Sequence, residues 1–283
     1  MTSNIKTFFL LMVLTALLLI LGGALGGKAG LMIALVLAVV MNFASYWYSD
    51  KIVLKMYKAR ELAPEDAPQL HAMVAEMAHR AGIPKPRIAI IPQQQPNAFA
   101  TGRDPEHAVV AVTDGIMRLL PHDELKAVLA HELGHVVNRD ILIQSVSAVL
   151  ASAVMTIANM LQWAAIFGFS SDDEEGGMNP LAAIAFAILA PIAASLVQMA
   201  ISRSREYLAD ETGARLCGNP MALASALMRL ESAARQIPMQ GNPVTENMFI
   251  VNPFTGQNMA RLFSTHPSTE ERVARLRNMG GGY

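Results

Sequence analysis

Residues 131–135 read HELGH, in the middle of a predicted helix that spans residues 123–139. Pro121 precedes this helix, no breaker interrupts it, and apolar residues recur on one face at helical spacing. Histidines at positions i and i+4 project from the same side of a helix, close enough for one zinc ion to bind both imidazoles. Glu132, beside the first histidine, can reach a water next to that ion. The competing interpretation is a helix with two surface histidines.

A third ligand is needed, because a catalytic zinc usually takes three protein ligands and leaves one position to water. The extended motif, with another histidine six residues after the second, is excluded because Ile141 stands there. Four candidates lie further along the chain: Glu206, Asp210, Glu211 and His266. At 1.5 Å per helical residue, His135 lies about 9 Å before one apolar stretch and Glu206 about 7.5 Å after the next one, which favours Glu206.

The expected meeting of these ligands assumes that the two apolar stretches form an antiparallel hairpin and that both helices continue straight beyond it. Asp210, one helical turn after Glu206, is then predicted to accept the free ring N–H of a ligating histidine and to fix its tautomer. Without the zinc motif, Glu206 and Asp210 would be interpreted as a solvated charged face beside Arg203 and Arg205.

Charge is scarce and unevenly distributed. The 283 residues include 22 Lys and Arg and 23 Asp and Glu, and all but six of these charges lie in residues 50–140 and 203–277. A composition that is 16% charged and 53% hydrophobic excludes a purely soluble protein, and a net charge of −1 argues against a nucleic-acid binder. The single cysteine, Cys217, cannot form an internal disulfide and fits a reducing compartment.

Four charge-free stretches are each long enough to cross about 30 Å of hydrocarbon, which takes about 20 helical residues. They are residues 7–27, 29–49, 141–171 and 176–202. A cleaved leader is the alternative for the first, but a second span follows within a few residues, which favours a retained hairpin.

Basic residues flank these spans on one side, whereas the opposite loops hold Lys28 and the acidic run 172–175. The positive-inside rule therefore places both charged segments and both termini in the cytoplasm. The predicted organisation is an N-terminal transmembrane hairpin (1–49), a cytoplasmic segment with the zinc motif (50–140), a second hairpin (141–202) and a cytoplasmic segment with the third ligand (203–283).

The cytoplasmic segments predict an α+β, mainly helical architecture with a small β-sheet. Three short apolar runs separated by turn residues predict strands at 87–91, 98–101 and 108–112. Helical periodicity predicts further helices at 67–81, 202–216, 220–235 and 269–279, whereas residues 237–267 predict a loop-rich stretch.

Three segments together resemble the HtpX-type membrane-bound zinc metalloproteases, which are relatives of the CAAX prenyl proteases. They read HELGHVVNRD at 131–140, SREYLAD at 204–210 and STHP at 264–267, with Arg272 downstream. NAFATG at 97–102 is similar to another family segment. The resemblance covers nearly the whole chain and implies a gluzincin-like fold, one Zn²⁺ bound by His131, His135 and Glu206, and endoproteolysis.

The same resemblance implies a place in the bacterial inner membrane and a role in stress response and quality control of damaged membrane proteins. Glu132 is predicted to move the proton from water to the leaving amine. His266 is a candidate oxyanion donor, although an ordinary loop histidine is the alternative.

A substrate strand is also predicted. Asn97, Ala98, Phe99, Ala100 and Thr101 are expected at a sheet edge, where an extended substrate can pair with the main chain; a core hairpin is the alternative. Two other functions compete with the endopeptidase: a specialised CAAX-like peptidase, and a non-enzymatic membrane scaffold or chaperone with a structural metal. The carboxylate of Glu132 argues against the scaffold, because a structural site has no use for it.

Overall fold

The N-terminal region of the computed structural model is a helical hairpin. Helix α1 (Ser3–Met56) breaks at Gly26 and at Gly27, whose positive φ of 54° suits a residue without a Cβ. The two arms, Ile5–Ala24 and Gly26–Met56, are each long and apolar enough to cross a membrane. They correspond to the first two predicted spans. The structure describes residues 3–167, 203–237, 243–252 and 267–280.

At the predicted start of the third span a helix begins, which is α5 (Ile141–Phe167). Its first turns pack inside the protein, and Leu142, Val146 and Leu150 contact a cluster of apolar side chains from α1. The fourth predicted span and the acidic run lie outside the described residues. Two helices of the described chain therefore qualify as spans, or three if α5 and the helix before it count as one bent span.

The remaining elements form the predicted α+β unit. The helices are α2 (Pro68–Ala81), α3 (Asp114–Leu119), α4 (His122–Val137), α6 (Arg203–Cys217), α7 (Pro220–Gln236) and α8 (Thr269–Gly280). The strands are β1 (Arg60–Glu61), β2 (Arg87–Ile91), β3 (Ala98–Thr101) and β4 (Val109–Thr113). Short 3₁₀ turns occur at Pro105–His107 and Pro243–Met248. The predicted helices and strands are confirmed to within two residues, whereas β1 and α3 were not predicted.

The sheet has the order β1-β2-β4-β3, with β2 parallel to β4 and β3 antiparallel to β4. Strand β3 is therefore an edge strand, as predicted. Both faces of the sheet are covered, because one packs against α2, α4 and α7 while the other meets α5 and the end of α1. This explains why the strands are continuous apolar runs rather than alternating ones.

The helix with the HELGH motif does not continue straight into α5, which corrects the predicted geometry. The two helices meet at an angle of 91°. Asn138 ends α4, and Arg139 adopts a left-handed conformation with φ of 56°. This turn lets the N–H of Asp140 donate to the carbonyl of His135 at 3.2 Å, and α5 then starts in a new direction.

Candidate metal centre

Helices α4 and α6 pack against each other at glycines. A Cβ atom on Gly213 would lie 2.7 Å from the backbone N of His131, and a Cβ on Gly134 would lie 2.9 Å from the carbonyl oxygen of Ala209. Real Cβ atoms do not approach this closely, so only glycine permits the observed spacing. The close approach brings the acidic side chains of α6 to the histidines of α4.

The three predicted ligands meet at one buried point. The Nε2 atoms of His131 and His135 lie 3.2 Å apart, and the Glu206 carboxylate oxygens lie 3.7 Å and 3.6 Å from them. All three ligand atoms fall within 4.8 Å of one another. One metal ion can therefore contact all three side chains. The structure brings these residues together although α4 and α5 do not form one straight helix.

The chemistry of the donors fits a metal. Nδ1 of His131 lies 2.9 Å from Asp210, and Nδ1 of His135 lies 3.1 Å from Asp140. A carboxylate at Nδ1 keeps a ring proton on that nitrogen, so Nε2 is the nitrogen that a metal would bind, in place of any proton there. Both Nε2 atoms and the carboxylate of Glu206 then face the same point. Such a set of ligand atoms suits a divalent cation.

Arg272, on α8, is a buried cation that fixes Asp210 beside the ligand set. Its guanidinium donates to both carboxylate oxygens of Asp210 at 2.8 Å and 2.7 Å and to the carbonyl of Ile250 at 2.7 Å. Only 2% of Arg272 is exposed. A fork-shaped pair of this kind fixes the Asp210 carboxylate, which in turn fixes the ring of His131.

Glu132 is buried next to the ligands and points toward the edge strand. Its Oε1 accepts no hydrogen bond from any residue that the structure describes. The backbone N–H of Ala100, on β3, interacts with the same carboxylate. The carboxylate is therefore available to an outside group at the place where the sheet edge meets the metal ligands.

Burial and neighbouring charges shift the pKa values here. Burial raises the pKa of Glu132 to about 7, near neutrality. Burial lowers the pKa of His131, which favours the neutral ring. For His135, burial lowers the pKa, but Asp140 and Glu206 outweigh this effect and raise it to about 10. So much negative charge around one imidazole indicates a site that attracts a cation.

Three residues that contact the ligand histidines had no predicted role: Asp140, Arg272 and Gln144, whose side-chain nitrogen lies 3.3 Å from Nδ1 of His135. Asp140 was visible as an acidic residue directly after the motif helix, but its contact with His135 depends on the left-handed Arg139. Arg272 had only its family resemblance to mark it. His266, the predicted oxyanion donor, lies outside the described residues.

Comparison with known proteins decides the family. The model of "Peptidase family M48" matches residues 64–280. The chain belongs to peptidase family M48. The predicted resemblance and the predicted activity, that of a membrane-bound metalloprotease, are thereby confirmed, and nothing favours the scaffold or CAAX-like alternatives.

The relatives of this M48 chain are similar over nearly its whole length. A "Protease HtpX homolog" of Desulforapulum autotrophicum is 58% identical over 279 residues, which are 98% of this chain and 90% of that protein. Another, of Pyrococcus furiosus, is 56% identical and covers 97% of this chain and 95% of its own length. The crystal structure of S. mikatae Ste24p matches with a TM-score of 0.52 at 21% identity, over 96% of this chain and 65% of that one, and supports the fold alone.

Proposed function

We propose that this M48 protein is a zinc endopeptidase of the bacterial inner membrane that cleaves misfolded or damaged membrane proteins. The convergence of His131, His135 and Glu206 beside the buried carboxylate of Glu132 carries this proposal. Two histidines and a carboxylate are a typical ligand set of catalytic zinc. The four-span layout, with segments 50–140 and 203–283 in the cytoplasm, is part of the proposal.

The residues of the chain divide the work as follows. His131, His135 and Glu206 would hold a zinc ion, which would supply Lewis-acid polarisation of the scissile carbonyl and of the attacking water. Glu132 takes the proton from that water and delivers it to the leaving amine, for which a pKa of about 7 is well suited. Asp210 and Asp140 hold the histidine rings, and Arg272 holds Asp210.

We infer that the substrate binds as an extended strand along β3. In the pairing of β3 with β4, the Thr113 N–H donates to the Asn97 carbonyl, so Ala98 and Ala100 direct their backbone groups to the outer edge. The Ile250 N–H already donates to the Ala98 carbonyl at 3.3 Å. Because the Ala100 N–H interacts with Glu132, the Ala100 carbonyl is the group, among the described residues, with which a substrate main chain would pair.

The decisive experiment measures zinc content and casein cleavage of the purified protein. Glu132→Gln is expected to keep one zinc per chain and to lose hydrolysis by about 100-fold or more, because it removes the proton acceptor without removing a ligand. Glu124→Gln is the matched control, since Glu124 is a buried glutamate on the same helix that pairs with Arg229 instead. Wild-type rates for Glu132→Gln would refute its role, and folded, zinc-loaded wild type without any cleavage would favour a scaffold.

A second test concerns His266, which we propose as the oxyanion donor. His266→Phe is expected to lower kcat by about 100-fold with little change in KM, because an oxyanion donor acts only in the transition state. An unchanged kcat would remove this residue from the mechanism.

A further inference from the structure

A large cavity, lined by none of the three proposed metal ligands, lies at the end of the second α1 arm. It has a volume of about 730 Å³. Phe43, Trp47 and Lys51 line it from α1. Arg87, at the start of β2, also lines it, as do Lys85, Arg103 and His107 from the segments between the strands. We call this space the interfacial cavity, because it joins the apolar arm to the α+β unit.

The charge lining the interfacial cavity is positive, whereas the whole chain has a net charge of −1. Four cationic side chains face two carboxylates, those of Asp50 and Glu106. Arg87 is bound by Asp50 at 3.1 Å and lies 3.7 Å from Glu61. Its charge is therefore largely neutralised, so the remaining positive charge comes from the other three cations.

Of those three cations, Arg103 alone has an acidic partner among the residues that the structure describes. Lys51 forms no ion pair there, and its ammonium lies 5.4 Å from the centre of the Tyr48 ring. Lys85 contacts Nδ1 of His71 at 2.9 Å. Arg103 forms a partly exposed ion pair with Asp104 at 3.3 Å, contacts Nε2 of His107 at 2.6 Å and stacks on the Trp47 ring at 4.9 Å. An anion entering the cavity can therefore bind without breaking a buried ion pair.

The polarity changes along the helix in the order that a bilayer surface requires. Phe43, Trp47 and Lys51 are four residues apart and share one face of α1, and Lys51 lies roughly 12 Å beyond Phe43 at 1.5 Å per residue. Phe43 and Trp47 are 57% and 45% exposed. An exposed Phe suits acyl chains, a Trp suits the interface, and a Lys suits the headgroup region.

We propose that the interfacial cavity binds the headgroup of an anionic phospholipid from the surrounding bilayer. Lys51 and Arg103 contact the phosphate, Trp47 lies against the upper acyl chain and Phe43 contacts the chain below it. Charge complementarity and the order of these side chains along the apolar arm favour a lipid over a soluble anion. The proposal does not depend on peptidase activity.

Tryptophan quenching by brominated lipids tests it directly. Trp163→Phe leaves Trp47 as the only tryptophan of the two in the chain. In mixed vesicles, brominated phosphatidylglycerol is expected to bind near Trp47 roughly fivefold or more tightly than brominated phosphatidylcholine, since each Lys or Arg near an anionic surface contributes about 1 kcal/mol. Lys51→Gln with Arg103→Gln is expected to bring this ratio to about one.

Matched variants distinguish a specific lipid-binding site from general electrostatic attraction to an anionic bilayer. Lys55→Gln with Lys58→Gln removes two charges from the same end of α1 but outside the cavity, and is expected to keep the preference. The double variant with Lys51→Arg and Arg103→Lys keeps both charges and is expected to keep the preference for phosphatidylglycerol. Lys51→Gln alone is expected to lower this preference. Equal losses in both glutamine pairs, or no preference in wild type, would overturn the proposal. So would displacement of phosphatidylglycerol by inorganic phosphate, which would indicate a soluble ligand.

Discussion

At the scale of single residues, the metal centre depends on a buried chain of contacts that starts at Arg272, which is distant from His131 in sequence but lies against it in space. Arg272 holds Asp210, and Asp210 holds His131. Burial raises the pKa of Asp210, but the Arg272 guanidinium outweighs this and keeps the pKa below its usual range. Asp210 is therefore ionised and able to accept the imidazole N–H.

Asp210→Asn tests this chain of contacts. The amide no longer fixes the His131 ring as a carboxylate does, so zinc affinity is expected to fall by about 10- to 100-fold. Arg272 also loses its buried partner, which is expected to lower the free energy of unfolding by about 3 kcal/mol. Zinc titration and thermal unfolding of the purified protein measure the two effects.

Glu211→Gln is the control for that variant. Glu211 is the next residue, about half of its side chain is exposed, and its partner is Arg215 on the same helix. Both measurements are expected to stay close to wild type, within about 0.5 kcal/mol for stability. Wild-type zinc affinity in Asp210→Asn would show that Asp210 does not position the ligand.

The motif was predictable because its spacing is local, and Asp210 was predictable as a neighbour of Glu206 because it lies one turn further along the same helix. Glu206 was favoured on the assumption of straight helices, which the bend between α4 and α5 contradicts; it reaches the histidines because α4 and α6 pack closely instead. Arg272 was not predictable, because its role rests on a contact between residues 62 positions apart in sequence, and no periodicity encodes such a contact.

At the scale of elements, the spacing of α4 and α6 determines whether Glu206 reaches the histidines. Gly213 lies against the backbone of His131, so the helices are as close as backbones allow. The bend between α4 and α5 determines the orientation of the His135 ring, because it places Asp140 within hydrogen-bonding distance of that ring. The sequence did not indicate this bend, since a left-handed non-glycine residue such as Arg139 has no reliable sequence signal.

Gly213→Ala is expected to push α6 away from α4. The added methyl group would overlap backbone atoms, which cannot rotate away, so a destabilisation of about 1–3 kcal/mol is expected. The displaced Glu206 should also weaken zinc binding. Zinc titration and thermal unfolding again provide the measurements.

Gly23→Ala is the matched control, because a Cβ there meets its nearest neighbour at an ordinary 3.7 Å. It is expected to bind zinc as wild type does. Unchanged zinc affinity in Gly213→Ala would mean that the helix spacing is not what positions Glu206.

At the scale of the whole molecule, the distribution of charge predicts which segment faces which side of the membrane. The break in α1 at Gly27 carries one cation, Lys28, whereas the α+β unit after Met56 holds most of the charged residues. The positive-inside rule then predicts that Lys28 faces outward and the α+β unit faces the cytoplasm.

Cysteine labelling in intact cells checks this orientation. In a Cys217→Ser background, Lys28→Cys is expected to react with a membrane-impermeant maleimide, whereas Glu65→Cys is expected to react only after the cells are opened. Both positions are exposed in the structure, so burial cannot explain a lack of labelling. Labelling of Glu65→Cys in intact cells would reverse the proposed orientation.

The contact between Arg272 and Asp210 also determines when, during synthesis of the chain, the site can be completed. The ribosome makes His131, His135 and Glu206 first, and Arg272 follows much later in the same chain. At about 5–20 residues per second, the stretch from Glu206 to Arg272 takes about 3–13 s to synthesise. During those seconds the nascent chain carries all three proposed metal ligands, whereas Asp210 has not yet gained its contact with Arg272. The contacts that fix the His131 ring are therefore complete only after the C-terminal part of the chain has been synthesised.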